Sequence, residues 1–162
     1  MQRGFLMKLL FLCTHNACRS ILAEAITRKI ADDRLDVASA GSHPAGRVHP
    51  LTLQHLQQRN YSTEGLTSQS WDDLKDFAPD IVITVCDSAA GETCPLWFGD
   101  AVKVHWGLPD PTSQEDVAQV DALFEQVMHR IERRIQALMK IKFEQFAREQ
   151  LKNELTILGE LL

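Results

Sequence analysis

The segment Cys13-Thr14-His15-Asn16-Ala17-Cys18-Arg19-Ser20 sets a thiol six positions ahead of a guanidinium. It follows the apolar run Leu9-Leu10-Phe11-Leu12 and leads into Ile21-Leu22-Ala23-Glu24-Ala25, a good helix-forming stretch. The local reading is strand, tight loop, helix. Such a loop aims backbone N–H groups and the positive end of a helix dipole at one point, which suits an oxyanion. The same field favours a thiolate, so Cys13 is a candidate nucleophile with a lowered pKa. Arg19 offers a planar fork that matches tetrahedral oxygens two at a time, as a lysine would not. Backbone N–H groups of Thr14, His15, Asn16, Ala17, Cys18 and Arg19 would line the cradle, and the Ser20 hydroxyl is placed to donate to the Cys13 sulfur. With no glycine in the loop, Asn16 is the residue expected at positive φ. Cys18 is expected to turn its side chain to the core as a small buried hydrophobe.

Four short β-rich runs must hold this loop in place: Leu9–Leu12, Val37–Ala40, Ile81–Val85 and Val102–Trp106. They alternate with helical stretches expected near Ser20–Ala31, Pro50–Arg59, Trp71–Phe77 and Glu115–Met139. Strands alternating with helices of this length predict an α/β fold, a four-stranded parallel sheet with helices on both faces. Ligands in such sheets sit beyond the carboxyl ends of the strands. Cys13 follows the first strand, Cys86 the third, and Asp110 lies just past the fourth, so all three are expected on one rim. The last long helix is expected to start at a capping box, Thr112-Ser113-Gln114-Glu115, and to bury Val117, Val120, Phe124, Val127, Ile131, Ile135 and Leu138. Phe143, Phe146, Leu151, Leu155 and Leu158 continue at helical spacing, giving an α/β domain 1–139 and a C-terminal helical extension 140–162 that packs on the domain or forms a self-association surface.

The chain has 162 residues, with 17 basic and 22 acidic side chains for a net charge of −5, so nothing global favours nucleic acid or an anionic membrane. An anionic substrate must be attracted locally, at Arg19. The apolar runs are too short for a membrane span, and the first seven residues lack the pattern of a signal peptide. Four cysteines in a chain this long do not make a disulfide scaffold, which fits a cytoplasmic protein with catalytic thiols. No metal site is expected from them: the pairs lack a C-x2-C knuckle, and Arg19 repels a cation. A monomer without an organic cofactor is expected.

Cys13-x5-Arg19-Ser20 after a first strand resembles the loop of the low-molecular-weight tyrosine phosphatase superfamily. Ser39-Ala40-Gly41, Cys86-Asp87-Ser88-Ala89-Ala90-Gly91-Glu92-Thr93-Cys94-Pro95 and Trp106-Gly107-Leu108-Pro109-Asp110-Pro111 extend the likeness to the arsenate reductases within it, across about Lys8 to Met139. The resemblance implies a relay. Cys13 attacks arsenic of bound arsenate while Asp110 protonates the leaving oxygen. Cys86 then attacks Cys13 and expels arsenite, and Cys94 attacks Cys86, leaving a Cys86–Cys94 disulfide for an external reductant. Thioredoxin is the first expectation for that reductant, with glutaredoxin and glutathione as the other route.

Two other functions use parts of the same constellation. A phosphotyrosine phosphatase would need Cys13, Arg19 and Asp110 but neither Cys86 nor Cys94; against it, Thr112-Ser113 follow Asp110-Pro111, and the chain has one tyrosine, Tyr61. An oxyanion or redox sensor would not need Asp110. Some reductases of the family hold potassium beside the loop. Asn16, Glu24 and Ser39 match three of those positions, with Ser68 where an aspartate is expected, and no metal is assigned.

Overall fold

A computed structural model describes residues 6–92, 95 and 98–162. The strands are β1 (Met7–Leu12), β2 (Leu35–Ala40), β3 (Ile81–Thr84) and β4 (Val102–His105), and the helices α1 (Arg19–Ala31), α2 (Pro50–Gln58), α3 (Asp87–Ala90), α4 (Val117–Met139) and α5 (Arg148–Leu158). All strand pairs are parallel, in the order β2-β1-β3-β4. The four-stranded α/β sheet expected from the alternation is therefore formed. Successive side chains of a strand face opposite ways. Leu9, Leu10 and Phe11 are all fully buried, as are Ile81 and Ile83, so both faces of the central strands are covered. α1 packs against α4, β1 and β2, while α5 lies on β4. No helix of the described residues is long and apolar enough to cross a membrane.

The register decides where the chemistry gathers. Leu12 pairs with both Ala40 and Thr84, and Thr84 pairs with His105. All four strands thus end level, and the segments that follow leave one rim. The chain steps from β1 outward to β2 and then back across to β3, which makes the β1–β3 boundary the switch point of the sheet. Cys13 and Cys86 lie directly above that boundary.

The structure departs from the sequence-based boundaries in three places. Trp71–Phe77 forms only a 3-10 turn, Trp71–Leu74, closed by a Ser70–Asp73 capping box. Ala78 at φ 51° and Pro79 then redirect the chain into β3. The Thr112–Glu115 capping box is not formed. Asp110 takes the Thr112 N–H and hydroxyl for a separate turn, Pro111–Ser113, and Asp116 caps α4 by accepting from Ala118 N–H. Helix α4 consequently starts later than expected, and Val117, in its first turn, is 72% exposed rather than part of the buried stripe.

The segment after α4 is closely joined to the sheet. Arg34, just ahead of β2, donates to both carboxylate oxygens of Glu144 at 2.9 and 2.8 Å and to the Met139 carbonyl at 2.8 Å. The Trp106 indole N–H donates to the Leu155 carbonyl at 2.8 Å, and a Cβ at Gly159 would sit 2.6 Å from the Trp106 ring. Leu151, Leu155 and Leu158 turn inward and are buried.

Candidate active site

The loop between β1 and α1 turns its carbonyls outward. Thr14 O accepts from His43 N–H at 2.9 Å, His15 O from Ala45 N–H at 2.9 Å, and Ala17 O from His49 N–H at 3.0 Å and the Thr52 hydroxyl at 3.1 Å. With the carbonyls engaged outside, the loop N–H groups are left to face the interior. Helix α1 begins without a capping side chain and with no acidic residue in its first turn. Its free N–H groups and dipole end therefore remain available to an anion. Asn16 takes φ 46°, as expected, and is fully buried.

Asn16 also ties the loop to its supports. Its side chain donates to Ser20 Oγ at 2.8 Å and Ser39 Oγ at 3.0 Å and accepts from Gln69 N–H at 2.9 Å; Ser39 in turn donates to Glu24 at 2.6 Å. Glu24 is buried, which raises its carboxyl pKa; Ser39 and Arg28 oppose that rise. These residues do not fit a potassium site here. The Arg28 guanidinium pairs directly with Glu24, Asn16 Oδ1 is taken by Gln69, and the Ser68 hydroxyl donates to His15 O at 3.2 Å. The positive charge Glu24 needs comes from the protein itself.

Gly41 shows how tightly the loop is seated. A Cβ there would lie 2.4 Å from the Thr14 carbonyl oxygen and 2.6 Å from that of Cys13. Both are backbone atoms and cannot swing aside. Gly41→Ala is expected to push the loop off its support and weaken oxyanion affinity at least tenfold, read as protection of Cys13 from alkylation by phosphate. Wild-type protection would mean that the loop yields more easily than its contacts indicate.

Arg19 and Asp110 meet across the cradle. One Arg19 nitrogen donates to the Leu108 carbonyl at 3.0 Å, and another lies 3.9 Å from Asp110 Oδ2. Asp110 Oδ1 is held by the Thr112 N–H at 2.9 Å and hydroxyl at 2.7 Å, so Oδ2 is the oxygen left to carry a proton. Arg19→Lys keeps the charge but loses the anchored fork. Its oxyanion affinity is expected to drop at least tenfold in the same protection assay, and near-native affinity would place the clamp elsewhere.

The sulfurs are arranged differently from the sequence expectation. Cys13 and Cys86 are buried neighbours whose sulfurs interact. Cys86 caps α3: its sulfur accepts from Ala89 N–H at 3.4 Å and from Thr14 N–H at 3.4 Å. The Cys13 thiol is the main cause that lowers the Cys86 pKa; burial opposes it, and the Thr14 and Ala89 N–H groups and the Thr14 hydroxyl add to it. Cys13 is instead raised, first by Cys86 and then by burial, against the pull of Arg19 and the His15 N–H. The thiolate expected on Cys13 therefore has a rival: two adjacent buried sulfurs share one negative charge, and Cys86 has two backbone N–H donors of its own. The bond expected from Ser20 to Cys13 is not among those formed; the Ser20 hydroxyl oxygen accepts from Asn16. Burial pushes the Cys18 thiol up to about 12, which leaves this side chain protonated against the core. Cys94 lies outside the described residues.

Glu92 was not singled out from sequence, yet its carboxylate reaches the Thr14 hydroxyl at 3.5 Å, bonds the Ser42 hydroxyl and lies 3.7 Å from His43 Nδ1. Thr14 and Glu92 are 78 positions apart, so no local pattern could have paired them.

A parallel sheet with a cysteine–arginine anion loop at its switch point defines a class, and comparison with known proteins agrees. The family model described as low molecular weight phosphotyrosine protein phosphatase matches residues 8–155. The chain belongs to that family. An arsenate reductase of Halalkalibacterium halodurans is 35% identical over 126 residues, 77% of this chain and 89% of the relative. Arsenate reductase 1 of Bacillus cereus is 39% identical over 106 residues, 65% of this chain and 77% of the relative. Among solved structures, a thioredoxin-dependent arsenate reductase of Corynebacterium glutamicum aligns with a TM-score of 0.66 at 30% identity over 86% of this chain; the match spans 63% of that longer chain. An arsenate reductase described in its phosphate binding state aligns with a TM-score of 0.70 at 25% identity, covering 83% of this chain and 98% of the other.

Proposed function

We propose that this protein is an arsenate reductase that turns arsenate into arsenite by a cysteine relay. The observation that carries the reading is the second sulfur: Cys86 lies buried against the anion loop next to Cys13, its sulfur accepting from the Thr14 N–H at 3.4 Å. Hydrolysis of a phosphoester has no use for a thiol there, whereas reduction requires one.

Arsenate occupies the cradle formed by the loop N–H groups and Arg19. Cys13 attacks arsenic as its proton passes to the adjacent Cys86 sulfur, and Asp110 protonates the departing oxygen, which leaves as water. Cys86, deprotonated again, then attacks the Cys13 sulfur. The S–As bond breaks with its electron pair going to arsenic: arsenic gains two electrons and leaves as arsenite, and the two sulfurs lose two as the Cys13–Cys86 disulfide forms. Cys94 attacks Cys86, releases Cys13 as thiolate, and leaves a Cys86–Cys94 disulfide. An external dithiol reduces it. Thioredoxin is the favoured donor, supported by the thioredoxin-dependent C. glutamicum relative and by the two cysteines beyond the nucleophile, which make a glutathione adduct unnecessary. The site belongs to a cytoplasmic monomer in this reading.

Arsenite formation from arsenate, followed with thioredoxin, its reductase and NADPH and in parallel with glutaredoxin and glutathione, tests the proposal. Turnover with thioredoxin supports it as stated. Turnover with glutaredoxin alone would replace the donor, and arsenite from neither would refute the function. Asp110→Asn is expected to slow the first chemical step by about 10²–10⁴-fold and to flatten the acid-dependent limb of the pH–rate profile. A loss of only a few-fold would leave Asp110 as a brace for Arg19 and the Thr112 turn.

A further inference from the structure

Thr14 stands between two side chains of the segment that follows β3. Its hydroxyl donates to Glu92 Oε1 at 3.5 Å, and the same oxygen lies 3.8 Å from Cys86 Sγ. Glu92 is held from the other side by the Ser42 hydroxyl, which donates to Oε2, with His43 Nδ1 3.7 Å from that oxygen. A hydroxyl has one proton to give, and a carboxylate only accepts. When that proton goes to Cys86 it lowers the pKa of the thiol; while Glu92 holds it, Thr14 Oγ can offer Cys86 nothing but a lone pair. It supports a Cys86 thiol and withholds support from a Cys86 thiolate.

The consequence falls on the shared charge. Cys86 has the Thr14 and Ala89 N–H groups in its favour, and Cys13 has Arg19 and the His15 N–H. A donor withheld from Cys86 narrows the gap between the two sulfurs and moves negative charge toward Cys13. We infer that Glu92 is a positioning residue that orients the Thr14 hydroxyl and thereby biases which of the two sulfurs, Cys13 or Cys86, is the thiolate.

The inference rests on the reductase reading for its use: attack on arsenic needs the charge on Cys13, and attack on the Cys13 sulfur needs it on Cys86. With Glu92 seated, the charge is drawn toward Cys13. With Glu92 released, the Thr14 hydroxyl turns and donates to Cys86, favouring the second. Only the shared proton moves, from Cys13–S–H···⁻S–Cys86 to Cys13–S⁻···H–S–Cys86 or back. Of the other charged or titratable groups around the site, Arg19 from α1 draws charge toward Cys13, while Asp110 beyond β4 pairs with Arg19, His43 after β2 with Glu92, and Asp87 on α3 with His105, 3.1 Å from its Nε2.

Labelling of the reduced full chain with a small amount of iodoacetamide, without any oxyanion, tests this directly. Peptide mapping across a pH series gives the ratio of Cys86 to Cys13 alkylation and the pH midpoint at each sulfur. Glu92→Ala is expected to raise the Cys86:Cys13 ratio about tenfold, the scale of one hydrogen bond to a charged group, and to lower the Cys86 midpoint. Glu92→Gln keeps a carbonyl acceptor for Thr14 and an amide for Ser42, so it should stay near wild type. In Thr14→Val the hydroxyl is gone, and adding Glu92→Ala should leave the ratio unchanged. An unaltered ratio in Glu92→Ala overturns the inference. So does an equal shift in the Thr14→Val background, which would mean that the carboxylate acts by charge or by blocking access. The labelling uses no arsenate, so its outcome is separate from that of the reductase reading, which fails only if wild-type protein forms no arsenite.

Discussion

Cys86→Ser is expected to stop net arsenate reduction with thioredoxin while leaving slow hydrolysis of a small aryl phosphate in place. Hydrolysis asks only for Cys13, the anion loop and an acid. Arsenite release asks in addition for a sulfur beside Cys13, because a serine hydroxyl cannot attack the Cys13 sulfur to form a disulfide and so send the S–As electron pair to arsenic. Cys94→Ser should act one step later, permitting about one turnover and trapping Cys13 bonded to Cys86, because only exchange with a third thiol frees the nucleophile. Intact mass and peptide mapping after a single addition of arsenate identify the accumulated disulfide. A Cys13–Cys94 bond in wild-type protein would reverse the order of transfer. Full multiple turnover by both variants with glutathione supplied would assign their work to an external thiol.

Cys13→Ser is expected to abolish both activities. A serine hydroxyl ionises far less readily than a thiol, and the neighbouring Cys86 sulfur, having accepted the proton of a thiol, is too weak a base for an alcohol. The position is also special in geometry. Cys13 N–H is tied to Ala40 O at 3.3 Å, which fixes the backbone from which the side chain is aimed. Initial rates with arsenate and with an aryl phosphate, each against the protein-free background, check the expectation. Measurable turnover by Cys13→Ser would remove Cys13 from the role of nucleophile.

The two variants differ in what they reveal because the two sulfurs differ in their surroundings. Cys13 belongs to the anion loop and is required by any chemistry the loop performs. Cys86 belongs to the β3–α3 junction, where its sulfur doubles as the cap of α3. Removing it costs the helix a cap as well as the relay a sulfur. The serine replacement keeps a capping oxygen, since serine is among the preferred residues at that position. The loss of reduction is thereby separated from a loss of local structure.

Much of this protein was legible in the order of its residues. Leu9–Leu12 is wholly and Ile81–Val85 nearly all apolar, with Thr84 the exception, so burial on both faces was expected, and alternation with helices then dictated parallel pairing. Cys13, Arg19 and the helix start announced an anion loop because their spacing carries its chemistry locally. Asn16 alone in that loop tolerates positive φ well, and it was found there at 46°. Such features depend on dihedral preference and on hydrophobic period, both set within a few residues. The tertiary structure decided what depends on ångströms between distant segments. It gave Cys86 two backbone donors and Cys13 a sulfur neighbour, and so set a second sulfur to share the charge expected on Cys13. It set Arg28 on Glu24 where a cation might have been sought, gave the capping of α4 to Asp116 because Asp110 had already taken Thr112, and joined Glu92 to Thr14. A proton shared between two sulfurs responds to every donor within hydrogen-bonding reach, and only the folded chain determines which donors those are.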